Sequence, residues 1–339
     1  MSRLGFTPAD FRGYIRQSHE KHILVEGKDD KRIFFLLIDE LEKRSNKHIN
    51  REDIQIISAE LLHGFDKDGG ILGNREKVEL ICQSIRGKPY ADKLVGFVDR
   101  EFREFITTPS LEDNINDHKV LDRLVWSRGH SVENYYFEFE TVRNPLRAFS
   151  VTDEFVAALD LFSSYFDQTI RTACAASLTG FELKKLPIVE SSVSREILEF
   201  NHNSKGKLVI NPDVWSEILT KKIKITASMA KQIVDSFYQW KNIVDKSDFS
   251  VVRWICHGHI GLVFIWAAYS RCVFEVCYRK ENKSHREAEK EAQRVLMADE
   301  SVRFNACAEH WVLHGLGSHC CYPAEVFKLL GLDVESLIS

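Results

Sequence analysis

The sequence predicts an α/β fold: a mostly parallel sheet flanked by helices, followed by a mainly α-helical C-terminal domain. Three observations predict it. Over the first 140 or so residues, short runs rich in β-branched side chains alternate with segments of helical period. From about residue 141 nearly every long segment has helical period instead. The chain has 339 residues, 44% hydrophobic and 28% charged, which is the composition of a folded soluble protein and more length than one ordinary domain needs. Two domains are therefore expected, 1–145 and 146–339, with the boundary resting on the change of period and on Pro145.

Each element has its own signal. Residues 22–26 (HILVE) form a short apolar run closed by Gly27, and 30–43 (DKRIFFLLIDELEK) place apolar residues at helical spacing. Residues 53–58 (DIQIIS) read as a second strand, followed by a polar, glycine-bearing loop at 64–73 and a helix over 75–86. Residues 93–99 (KLVGFVD) are apolar until they end in an acid, and 120–126 (VLDRLVW) read as a fourth strand. Strands that alternate with helices pair in parallel, are buried on both faces, and bind ligands beyond their carboxyl ends. In the second half the spacing predicts helices over 153–166, 192–200, 213–220, 228–244, 259–278, 284–296, 302–313 and 323–330.

The net charge of −4 argues against binding nucleic acid through a broadly basic surface. Such contact has to come from local patches, or from metal ions that neutralise an acidic pocket. The longest apolar stretch, 260–269, is too short to span a bilayer, and no secretory signal opens the chain. The eight cysteines give no disulfide framework. A cytoplasmic protein without a membrane partner is expected.

Acids fall where the chain leaves the predicted strands. Glu26 ends the first, Asp99 ends the third with Glu101 two residues on, and Glu133 follows the fourth in HSVEN. Asp30 comes four residues after Glu26, in the first turn of the next helix. Parallel neighbouring strands bring such residues to one sheet edge. Carboxylates gathered there crowd one another's charge, and hard oxygen ligands of this kind suit Mg²⁺ or Mn²⁺. Two such ions roughly 4 Å apart can activate a water and steady the leaving oxygen of a phosphodiester.

VEGKDD at 25–30, FVDRE at 97–101 and SVEN at 131–134 together resemble the Toprim nucleases, most closely the branch of overcoming-lysogenization-defect proteins and related bacterial defence effectors. The resemblance covers about the first 140 residues. That branch has a glutamate after its first strand with an acid four residues on, then an Asp-x-Asp pair, then Ser-x-Glu. These positions fall on Glu26 and Asp30, on Asp99 and Glu101, and on Ser131 and Glu133. Glu101 departs from the usual Asp and, being longer, is expected to reach a metal through water. A standalone domain of this kind with a helical second half and HSVENYYF resembles the effectors of PARIS-type anti-phage systems. The resemblance implies a toxic homodimeric nuclease that cuts host tRNA once a phage trigger releases it from an ABC-type ATPase sensor. It assigns metal ligation to Glu26, Asp30, Asp99, Glu101 and Glu133, and catalysis to Glu26, Asp99 and Glu133. A DNA endonuclease with the same site and a non-catalytic module that holds the ATPase partner are the alternatives.

Other residues have weaker claims. Lys28 and Arg100 lie between paired acids, placed to meet a phosphate or developing charge; a surface ion pair is the simpler reading of Arg100. His130 and Ser131 precede Glu133 as candidate substrate contacts. The 63–70 loop offers glycine backbone to a phosphate. Lys184, Lys185, Lys205, Lys207, Lys221, Lys222 and Lys224 offer a basic track, or ordinary solvated surface. The charged segment 279–294 reads as an exposed helix with internal ion pairs. Cys307, His310, His314, His319, Cys320 and Cys321 raise a Zn²⁺ site without a familiar spacing, so buried cysteines are the simpler reading. Tyr135 and Tyr136 read as packing residues; His257 and His259, in CHGHIG, could reach the active site from the second domain, and packing beside a helix start is their simpler reading.

Overall fold

The computed structural model describes residues 5–45, 49–64, 66–67, 70–150, 154–201, 207–280, 282–315, 322–332 and 334. It is a mixed α/β structure with a mostly parallel five-stranded sheet flanked by helices. The chain divides into two compact units. One comprises 1–100, 115–132 and 311–339, the other 101–114 and 133–310. The division therefore falls at 132/133 rather than at 145, and the C-terminal segment returns to the first unit.

In the first unit, α1 (Pro8–Gln17) precedes β1 (Lys21–Val25), α2 (Lys28–Arg44), β2 (Ile54–Ser58), α3 (Asn74–Ile85) and β3 (Leu94–Val98). The sheet order is β2-β1-β3-β5-β4, where β4 is Lys119–Leu121 and β5 is Leu124–Trp126. β2, β1, β3 and β5 run parallel, and β4 is an antiparallel edge. β3 explains the layering. Its residues Leu94 and Val98 join Phe11, Ile15, Val78, Ile81 and Cys82 in a core against α1 and α3. Phe97 points the other way, with its ring 5.0 Å from Phe34 of α2, and Phe34 in turn meets Phe327 of the C-terminal helix Ala324–Leu329 at 6.1 Å. All five residues of β3 are buried, as a central strand covered on both faces requires. Gly96 sits where α3 crosses: a Cβ there would lie 2.5 Å from Cys82 Sγ.

The predicted strand 120–126 is instead a hairpin. Asp122 and Arg123 form the turn between β4 and β5, with Asp122 in the left-handed region at φ 58°. Arg123 secures it by donating to the carbonyls of Leu94, Asp92 and Leu329 at 2.8, 2.8 and 2.7 Å. Two polar residues inside an apolar run mark the turn.

The second unit is mainly helical, with α4 (Phe139–Ala148), α5 (Phe155–Glu182), α6 (Leu186–Ser192), α7 (Pro212–Glu217), α8 (Ala227–Val244), α9 (Phe249–Ile255), α10 (Gly258–Arg279), α11 (His285–Val295) and α12 (Glu300–His310). α5 runs 28 residues, well beyond the predicted 166, and is buried on all sides from Thr172 to Gly180. Thr169, Thr172, Ser177 and Thr179 are tolerated there because each hydroxyl donates to the carbonyl one turn back, at 2.7–2.9 Å. Against it packs α10, a helix long and apolar enough to cross a membrane, yet with 89% of its apolar window covered by protein. The stretch 260–269 lies inside it. Where a helix over 192–200 is predicted, α6 stops at Ser192 and β6 (Leu198–Asn201) pairs antiparallel with β7 (Lys207–Ile210). Leu198 and Phe200 are buried and Glu199 is exposed, a period of two.

Candidate functional site

In the first unit Glu26 and Asp99 follow adjacent parallel strands. The β1–β3 register places Val25 beside Phe97, so Glu26 and Asp99 leave adjacent parallel strands side by side. The Asp99 backbone N–H donates to Glu26 Oε1 at 2.8 Å. This bond holds the Glu26 carboxylate across the mouth of the neighbouring strand. Asp30, in the first turn of α2, accepts from the Gly27 N–H through Oδ2 at 3.0 Å. Asp30 thus secures a helix start as well as adding charge. A Cβ on Gly27 would lie 3.7 Å from Asp30 Oδ2 and 3.9 Å from Glu60 Oε1, so Glu60 closes on the same residue. Sequence reasoning did not single out Glu60, although it too follows a strand, β2. The α2 N-terminus favours the negative charge of Asp30 in its first turn. Lys28 opens α2 with its side chain exposed.

Arg100 is not at the surface. It is fully buried: its backbone N–H donates to Ser127 Oγ at 2.9 Å and its Nη1 to the Arg128 carbonyl at 3.1 Å. It ties the end of β3 to the chain leaving β5, from a buried position rather than the surface one expected of it. His130 and Ser131 are also buried, each 6% exposed.

The second unit contains Glu101 and Glu133. Glu101 is exposed and left-handed, at φ 54°, an uncommon conformation for a residue with a side chain. Glu133 is 5% exposed and sits in a 3₁₀ turn, Val132–Tyr136, that is firmly anchored. Asn134, fully buried, donates through Nδ2 to the carbonyls of Arg253 and Cys256 at 2.6 and 2.8 Å. Tyr135 packs edge-on to Trp254 and Tyr136 to Phe304, the packing role the sequence suggests.

His259 is not a packing residue. Its side chain is 50% exposed, its Nε2 lies 3.2 Å from Glu133 Oε1, and its Nδ1 lies 3.3 Å from Glu300 Oε1. Hydrogen bonds to these two carboxylates raise its pKa to about 11 despite burial. Glu190 completes the group: ligand-type atoms of Glu190, His259 and Glu300 all lie within 4.8 Å of one another. Burial pushes the Glu190 carboxyl upward; His259 opposes this, and the Glu300 and Glu133 charges reinforce it. His257 behaves oppositely. Burial lowers its pKa to about 4, against the pull of Glu133. No sequence signal distinguishes these two histidines, because the carboxylates come from separate elements.

Their titration is therefore expected to diverge. In metal-free protein, ring-nitrogen NMR shifts should show His259 charged at pH 8 and His257 neutral at pH 6; the reverse order contradicts the geometry. The signs for stability also differ. The His259 contribution is full below its unfolded pKa near 6.5 and is lost as pH rises toward about 11. The His257 contribution is present above about 6.5 and is lost as pH falls toward about 4.

Lys184, at φ 55°, and Lys185, whose N–H donates to the Gly180 carbonyl at 2.7 Å, terminate α5. Lys221 pairs with Glu217 at 2.8 Å on its own helix. Lys207 is exposed on β7, and Lys205 lies outside the described residues, as do Phe65, Asp68 and Gly69 of the 63–70 loop. Cys307 is fully buried, which pushes its thiol up to about 12. His310 Nε2 lies 2.7 Å from Asn144 Nδ2, and His319, Cys320 and Cys321 lie outside the described residues.

The fold is mixed α/β, with Glu26 and Asp99 following adjacent parallel strands. No family model matches the chain, and none of the curated proteins matches it.

Proposed function

We propose that this chain is a Toprim-like, Mg²⁺- or Mn²⁺-dependent nuclease. The observation that carries the reading is the meeting of Glu26 and Asp99 at the ends of adjacent parallel strands, with Asp30 at the start of the intervening helix. The donor set fits: it is all carboxylate oxygen, which hard divalent ions prefer. A divalent ion bound there would supply charge neutralisation at a phosphate and a more acidic water. The protein's part is placement. The Asp99 N–H orients Glu26, and the Gly27 N–H orients Asp30, so neither carboxylate has to be ordered when the ion arrives. Lys28, exposed one residue from Gly27, is placed to meet a phosphate oxygen. Glu133 and Glu101 belong to the proposed functional set, and Glu133→Gln is expected to abolish cleavage as Glu26→Gln does.

The resemblance to defence effectors extends the proposal to a biological role. The substrate would be host tRNA, the active form a homodimer, and the regulator an ABC-type ATPase that holds the effector inactive. Purified protein incubated with total tRNA, and separately with plasmid DNA, tests the activity. Cleavage with Mg²⁺ or Mn²⁺ that EDTA abolishes supports it. Product unchanged by EDTA, or none with either substrate, refutes it, and the substrate that is cut decides between RNA and DNA.

A further inference from the structure

Helix α11 places Arg286, Lys290 and Arg294 four residues apart on one exposed face, while Ala288, Ala292 and Val295 are buried on the opposite face. The basic face lines an open groove together with Arg195, Glu289 and Met297. Not all of its charge is available. Arg195 is buried and matched by Glu289, bonding both its carboxylate and its backbone carbonyl. Arg294 contacts both carboxylate oxygens of Glu291 at 3.0 Å. Among the described residues, no carboxylate lies within ion-pair distance of Arg286 or Lys290. Two exposed cations thus face solvent over a rigid wall in a protein whose net charge is −4.

We propose that this face docks the sugar-phosphate backbone of a nucleic-acid strand. Four residues of α-helix rise about 6 Å, so the cations repeat on the scale of successive phosphates along an extended strand. Glu289, facing the same groove, is already committed to Arg195 and so does little to repel the strand. Met297, 74% exposed at the end of the face, offers an apolar contact to a sugar or base. An acidic protein surface would also be attracted, but it has no reason to match a regular spacing of this kind. Calling the docked strand a substrate rests on the nuclease reading; the docking itself does not.

The test is binding of a fluorescent oligouridylate by anisotropy, in EDTA so that nothing is cut. Arg286→Gln with Lys290→Gln is compared with Lys231→Gln plus Lys246→Gln, exposed lysines elsewhere in the same unit. The α11 pair should weaken binding at least tenfold and reduce the steepness of log K against log salt by about 1.4, that is ~0.7 for each lost phosphate contact. The control pair should change neither. Equal effects of the two pairs, no effect of either, or no binding by the wild-type protein overturns the proposal. So does loss of binding to polyglutamate alone, which would mark a protein-docking face. Binding that behaves as expected in a protein that cuts nothing with Mn²⁺ refutes the nuclease and leaves the groove standing. Metal-dependent cutting with unaltered binding in the α11 variant does the reverse.

Discussion

Glu26→Gln is expected to reduce metal-dependent cleavage at least ~10³-fold, equivalent to about 4 kcal/mol of transition-state stabilisation. The substitution is chosen for what it keeps. Glutamine has the same shape, and its amide oxygen accepts the Asp99 N–H that Glu26 Oε1 accepts at 2.8 Å. Only the negative charge is lost, together with the strong attraction of a carboxylate for a divalent ion. Thermal unfolding in EDTA should therefore match the wild type to within a few degrees. Asp30→Ala is the contrasting variant. It removes a carboxylate and also the acceptor for the Gly27 N–H at 3.0 Å, so it should cost about 0.5–2 kcal/mol of stability as well as activity. Cleavage by Glu26→Gln at the wild-type rate would exclude the proposed chemistry.

Gly261→Ala should destabilise the second unit by about 1–3 kcal/mol, the usual cost of overpacking a filled core. A Cβ at Gly261, on α10, would lie 2.1 Å from Phe137 Cζ and 2.6 Å from its Cε2. Phe137 is fully buried, so its ring has nowhere to move without displacing neighbours. The consequence reaches further than packing, because Phe137 directly follows the 3₁₀ turn that holds Glu133. At about 2–4 °C per kcal/mol, the melting temperature should fall by several degrees. Phe137→Leu in the same chain vacates the space, so the double variant should be more stable than the sum of the single changes predicts. Strict additivity in calorimetry would show that the two residues do not press on each other.

How far the fold was legible depends on where each element gets its stability. β1, β2 and β3 are predicted to within about a residue, because strands covered on both faces must be continuous apolar runs. Glu26 and Asp99 follow from those ends, and their meeting follows from parallel pairing. The β4–β5 hairpin was read as one strand because its turn is only Asp122 and Arg123, embedded in apolar sequence. Past residue 166, α5 was unreadable as a helix. Small residues such as Ala173, Ala175, Ala176 and Gly180 carry no amphipathic period when every side is buried. The return of 311–339 to the first unit depends on contacts such as Phe34 with Phe327, far apart in sequence. The same limit hid Glu60 and the carboxylates around His259. A histidine's sequence neighbours say nothing about acids arriving from α6, α12 and the Val132–Tyr136 turn.

Whether Glu26 and Asp99 hold a divalent cation at the strand ends is tested by Mn²⁺ binding, without any substrate. Titrating metal-free protein while following the paramagnetic resonance of free Mn²⁺ gives affinity and stoichiometry directly. Saturable binding by the wild type is expected, weakened at least ~10-fold in both Glu26→Gln and Asp99→Asn and unchanged in Glu199→Gln, an exposed acid on β6. Identical Mn²⁺ binding in the wild type and the two strand-end variants would contradict it.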